Sequence, residues 1–126
     1  MCQMLLSINP EHVENILLGK KQFEFRKVRC KADVNKIIIY ATAPEKMVVA
    51  EAEIEEVIEA DLETVWTLTH ELSGITYEFF EEYYKGKDKA IAYKLRKVKR
   101  YSRPKFLSDF GLRYAPQSFV YLGATT

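Results

Sequence analysis

The chain has 126 residues, 48% of them apolar and 29% charged, and a formal net charge of +1. That length suits one domain, residues 1–126 with a core over about 4–122, and the apolar share excludes a disordered polypeptide. The near-neutral balance excludes an overall polycation, and no apolar run approaches the roughly 20 residues of a membrane-crossing helix.

Residues 4–8 read as a first, central strand. This start lacks the charged region and cleavage site of a secretory leader, so a cytoplasmic protein without membrane contact is expected. Cys2 and Cys30 then read as free thiols, and with His12 and His70 they show no metal-ligand spacing, so no metal or other cofactor is expected. Asn9-Pro10-Glu11 starts a helix: a capping side chain, proline at the first helical position and an acid in the first turn. Val13, Ile16 and Leu17 give it one apolar face, His12 reads as a surface residue, and Gly19 closes it.

Residues 22–26 alternate as a half-buried strand, with Phe23 and Phe25 to one side and Gln22, Glu24 and Arg26 to the other. Lys21 stands at its mouth, so a lysine, a carboxylate and a guanidinium share one helix–strand corner. Residues 27–35 are loop-like. The β-branched run in residues 36–42 predicts a strand buried on both faces, and residues 47–58 a long strand with a change of phase near Val57. Asp61 caps a second helix with the apolar face Val65, Leu68 and Leu72. Thr76 caps a third over residues 77–85, whose Phe79, Phe80, Tyr83 and Tyr84 read as core rather than as a base-stacking platform. Residues 90–101 predict a strand, 102–113 a loop or short helical turn, and 115–122 a proline-led turn and closing strand.

The charges segregate. Residues 51–63 hold seven acids and no base, and residues 94–105 hold seven bases and no acid. The basic run is either a solvated strand face or a patch that tracks a nucleic-acid backbone through residues such as Lys97 and Arg100. An element order with so few helices between strands disfavours a doubly wound parallel sheet and favours a small, mostly antiparallel curved sheet or barrel with flanking helices.

Gly19, Lys21, Glu24 and Arg26 together resemble the G-x-K-x-x-E-x-R signature of the ASCH domain family. The helix N-P-E-H-V-E-N-I-L-L-G-K-K, the strand I-I-I-Y-A-T and the closing strand agree with it over nearly the whole chain. The resemblance implies an α+β, mainly β, PUA-like small barrel. It also implies binding of nucleic acid, RNA sooner than DNA, or of a modified nucleoside, in roles linked to transcription or translation. In that setting Arg26 can grip a phosphate or base edge, Lys20 and Lys21 a phosphate, and Glu24 an exocyclic amine. Tyr40, Tyr93 or Phe119 would supply a stacking face, and Gln117 and Ser118 polar contacts from the last strand.

One branch of the family hydrolyses N4-acetylcytidine nucleosides with a Lys, a Thr and a Glu. Its lysine corresponds to Lys21, but its threonine falls at Glu24. A hydrolase reading would therefore rest on Lys21 and Glu24, with Glu24 activating water. A structural ion-pair cluster and a protein-interaction module are the readings that compete with a ligand site.

Overall fold

A computed structural model describes residues 2–31 and 33–122. The elements run β1 (Cys2–Ile8), α1 (Pro10–Leu17), β2 (Phe23–Arg26), β3 (Val34–Ala41), β4 (Met47–Asp61), α2 (Leu62–Thr69), α3 (Tyr77–Tyr83), β5 (Lys89–Lys105) and β6 (Phe119–Leu122). The strands form one sheet in the order β2-β5-β4-β3-β1-β6, in which β1 and β3 are parallel and the other pairs antiparallel. The sheet curls into a half-barrel carrying the three helices, the α+β, PUA-like arrangement expected. The strand order leaves β2 and β6 at its two edges. Among the described residues no helix is long and apolar enough to cross a membrane.

The start signals act as their chemistry requires. The side chains of Asn9, Asp61 and Thr76 accept hydrogen bonds from the backbone N–H groups of Glu11, Thr64 and Phe79, capping α1, α2 and α3. Strand alternation divides the core. Met4, Leu6, Ile37, Ile39 and Ala41 point inward to meet Val13 and Ile16 of α1. Leu5, Ile38, Tyr40 and Val48 point to the other face, under Leu107, Phe110 and Leu112 of the segment after β5. This double burial is why the isoleucine run of β3 is apolar at consecutive positions. A third cluster packs Phe23 and Phe25 against Val65, Phe80 and Tyr84.

Three details depart from the sequence reading. The apolar face of α2 is Val65 with Thr69, whose hydroxyl donates to the Val65 carbonyl at 2.8 Å, while Leu68 is 60% exposed. The helix tightens into a 3₁₀ turn at His70–Leu72, which carries Leu72 out of the row that a continuous helix would have made. Residues 102–105 extend β5 rather than forming a loop, whereas the closing strand after the proline-led turn is found at Phe119–Leu122.

The segregated charges meet across a ladder. In the β4–β5 pairing Glu53 lies opposite Arg96 and Glu51 opposite Lys99. Arg96 pairs with Glu53 at 3.1 Å and Lys94 with Glu55 at 3.1 Å; on the other side of β4, Lys36 of β3 reaches Glu51 at 3.0 Å. Each exposed pair is worth about 0–1 kcal/mol, yet together they favour one register of two long strands.

Tyr84 ties the sheet to α3. Its fully buried hydroxyl lies 2.9 Å from the Arg26 carbonyl and 3.2 Å from that of Ile91, and accepts from the Ile91 N–H at 3.4 Å. Tyr84→Phe leaves these groups short of a partner, and about 1–3 kcal/mol of stability should be lost. Urea unfolding would show this as a lower midpoint at unchanged slope.

Candidate functional site

Lys21 enters the interior because the chain turns twice at the end of α1. Gly19 adopts φ 79°, and the N–H groups of Lys20 and Lys21 both reach back to the Asn15 carbonyl, at 3.0 and 3.1 Å. The Lys21 side chain is only 3% exposed. Its Nζ donates to the Ser73 carbonyl at 2.8 Å and lies 4.9 Å above the Phe25 ring. Burial pushes its pKa down from 10.5; the Arg26 charge acts in the same direction and the Glu24 charge opposes it. The 73–75 turn that meets Lys21 admits no side chain at Gly74, where a Cβ would stand 2.6 Å from Lys21 Cβ and where φ is +71°.

On β2, Glu24 and Arg26 are also buried. Arg26 Nε and Nη2 both donate to a single carboxylate oxygen, Glu24 Oε2, at 3.0 and 2.7 Å, so Oε1 stands outside the ion pair. The same guanidinium donates to the Ser7 carbonyl at 3.1 Å and to Ser118 Oγ at 2.9 Å. It thereby spans from β2 at one edge of the sheet to β1 and the start of β6 at the other.

A cavity of about 450 Å³ opens over this trio, within the range of small-ligand clefts. Lys21, Glu24 and Arg26 line it together with His12, Phe25, Phe79 and Tyr83, and Asn9 and Thr76 contribute polar atoms. Lys21 and Arg26 meet Glu24 in this lining, and the exposed Glu11 adds a second carboxylate, so the cavity offers cationic donors and anionic acceptors to a polar ligand. Phe79, 48% exposed, and Tyr83 offer ring surface to it.

His12 is part of this wall rather than of the outer surface. Its ring meets Phe79 edge to face at 5.4 Å, and its Nδ1 is buried without a hydrogen-bond partner among the described residues. Burial lowers its pKa below 6.5, and the Lys21 charge adds to that, outweighing the opposing pull of Glu24 and Glu11. The imidazole is therefore neutral at pH 7, able to donate or accept one hydrogen bond per nitrogen.

The other residues singled out from sequence are distributed differently. Ser118 joins the site through Arg26, while Lys20 and Gln117 are exposed and are not among the residues lining the cavity. Tyr40 is core, Tyr93 is buried with its hydroxyl accepting from the Cys30 N–H at 2.8 Å, and Phe119 packs on Tyr121, so none of these three supplies the ring surface of the cavity. That surface comes from α3, whose aromatics divide by helical spacing: Phe80 and Tyr84 to the core, Phe79 and Tyr83 to the cavity. Two i, i+4 aromatic pairs offset by one residue were the available sign. Arg100 lies on β5 with Glu14 at 3.8 Å, and Lys97 lines a separate groove. Among the described residues no group of three or more His, Cys, Asp or Glu converges closely enough to hold a metal.

Two outcomes follow from this geometry. Arg26→Ala strands the buried Glu24 carboxylate and should cost about 3–5 kcal/mol. The double variant Glu24→Ala with Arg26→Ala should be more stable than Arg26→Ala alone, as judged by denaturant unfolding. The C2 proton of His12, assigned with His12→Asn, should titrate with a midpoint below 6.5. Between that midpoint and 6.5 the unfolded chain binds more protons at this position, so wild-type stability relative to His12→Asn should rise with pH across that window.

Residues 7–112 match a family described as a domain of unknown function, DUF365. The "ASCH domain-containing ribonuclease" of Zymomonas mobilis is 33% identical over 95 residues, 75% of this chain and 64% of that protein. The "Large ribosomal subunit protein uL22" of Ureaplasma parvum serovar 3 is 30% identical over 120 residues, 94% of this chain but only 39% of that longer protein. The crystal structure of ASCH from Zymomonas mobilis superposes with a TM-score of 0.86 at 29% identity, covering 96% of this chain and 87% of the other. The family match over residues 7–112 and this shared fold agree with the signature at Gly19, Lys21, Glu24 and Arg26: the chain belongs to the DUF365 family and is an ASCH-domain protein of the PUA-like class.

Proposed function

We propose that the cavity receives one unstacked nucleotide of single-stranded RNA. The observation that carries this reading is the pairing of a cationic floor, Lys21 and Arg26, with ring surface from Phe79 and Tyr83 in a space of about 450 Å³. Unpaired bases are held by stacking on aromatic rings, and their phosphates by lysine and arginine. Glu24 Oε1, outside the ion pair with Arg26, can accept from a base amine, and His12 can add a hydrogen bond. The Zymomonas mobilis relative is named a ribonuclease, which supports an RNA-related function at the level of the family. A cytoplasmic place of action and a role linked to transcription or translation are part of the same proposal.

Hydrolysis of N4-acylated cytidine fits the site less well. That chemistry needs a nucleophile or an effective base, whereas Glu24 stands at the threonine position and receives two hydrogen bonds from Arg26. Cleavage of RNA is a second reading, favoured by His12: a neutral imidazole beside Lys21 in the cavity can exchange a proton with a ribose hydroxyl or leaving oxygen.

Fluorescence anisotropy with a labelled single-stranded RNA octamer tests binding. Wild-type affinity should fall linearly on a log–log plot against salt, and Phe79→Ala should weaken it by about 1–3 kcal/mol. Lys21→Met and Phe79→Ala binding as tightly as the wild type would sink the cavity as the site. Gel analysis of the same octamer in EDTA reads cleavage: fragments lost in His12→Asn support the second reading, and intact RNA leaves binding alone.

A further inference from the structure

A second groove, of about 380 Å³, runs on the other side of the helix–strand corner. Lys21 lines both it and the cavity. Its far wall is β5, with Lys94, Arg96, Lys97 and Val98, and Glu55 of β4 adds one carboxylate.

The cations of this wall are not equivalent. Lys94 and Arg96 are engaged by Glu55 and Glu53 of the neighbouring strand. Lys97 is in no ion pair among the described residues, and its backbone explains why. Glu51 faces Lys99 and Glu53 faces Arg96, so two steps along β4 correspond to three along β5, and one extra residue bulges out between them. Lys97 takes the left-handed conformation at that bulge, with φ 51°, a region normally occupied by glycine or asparagine. A lysine held there is lifted out of the alternation that would otherwise set it beside the β4 acids. Backbone strain of this kind persists where the surrounding structure imposes it, and it gathers at ligand sites.

We propose that this groove binds the phosphodiester next to the nucleotide in the cavity, with Lys97 as its free cationic contact and Lys21 as the wall between the two positions. The inference rests on the cavity being a nucleotide site, and it deepens that reading. The ligand is an oligonucleotide that crosses the corner at residues 19–22, rather than a free nucleoside. Of the three β5 cations that line the groove, it singles out Lys97, since carboxylates of β4 already engage Lys94 and Arg96.

Lys97→Gly tests this without disturbing the fold, because glycine accepts φ 51° more readily than lysine and the bulge is kept. Lys99→Gln serves as a control, removing an equal charge from the ladder position opposite Glu51. With the single-stranded RNA octamer, Lys97→Gly should weaken binding several-fold and reduce the slope of log affinity against log salt by about 0.7, the share of one phosphate on a single strand. Lys99→Gln should leave that slope unchanged, and thermal unfolding of Lys97→Gly should come no earlier than in the wild type. Equal octamer affinity and slope for wild type and Lys97→Gly would overturn the groove while leaving the cavity reading intact. Equal losses in Lys97→Gly and Lys99→Gln would also overturn it, reducing Lys97 to diffuse charge. Absence of octamer binding by the wild type would overturn both.

Discussion

The guanidinium of Arg26 is the contact on which the rest of the site depends. It lies on β2 at one edge of the curled sheet and donates to Ser7 of β1 and to Ser118 at the start of β6, across the opening that the strand order leaves. A buried arginine is costly unless its donors are met, and here its Nε, Nη1 and Nη2 all find oxygen. Glu24 supplies the compensating charge, but with one oxygen only, so the ion pair that closes the curl also leaves an acceptor atom beside the cavity. A structural role for Glu24 and Arg26 is thus compatible with the proposed ligand site, because the hydrogen bonds that tie the strands together also hold both residues in the cavity wall.

The near-zero net charge has a comparable explanation. The acidic stretch of β4 and the basic stretch of β5 are neighbours in the sheet, where Lys94 pairs with Glu55 and Arg96 with Glu53. What reads along the chain as a positive patch is in space a mixed surface. Lys97, at the interruption of the ladder, and the buried Lys21 and Arg26 lie on the two sides of one corner.

Much of this was legible before any coordinates. Capping residues Asn9, Asp61 and Thr76, the glycine at 19 and the isoleucine run of β3 fixed element order and burial, because those are local rules acting over a few residues. The signature brought Lys21, Glu24 and Arg26 to attention for the same reason: they lie within six residues of one another. The wall of the cavity was not legible. Ser73 and Gly74 reach Lys21 across 52 and 53 positions of chain, and Phe79 meets His12 across 67, through a curl of the sheet that no periodicity records. Tyr40 was misassigned to the site because alternation tells which residues share a face without telling which face the cavity opens on. Leu72 leaves the apolar row because a helix wheel assumes a helix that continues, whereas α2 ends at Thr69 and a 3₁₀ turn follows.

The contact between Gly74 and Lys21 carries one more consequence. The two are packed at the limit of approach, and the Lys21 ammonium is bonded to the carbonyl of the preceding Ser73, so the turn and the lysine form one rigid unit. Folding the turn down over the cavity, or swinging the ammonium out into it, would break that hydrogen bond and the packing at Gly74. Much of the entropy of ordering this wall is spent in folding rather than at the moment of encounter, so the pocket is a preformed mould. For such a mould, arrival is set by diffusion and the long-range field, and differences between guests are expressed in how long each remains.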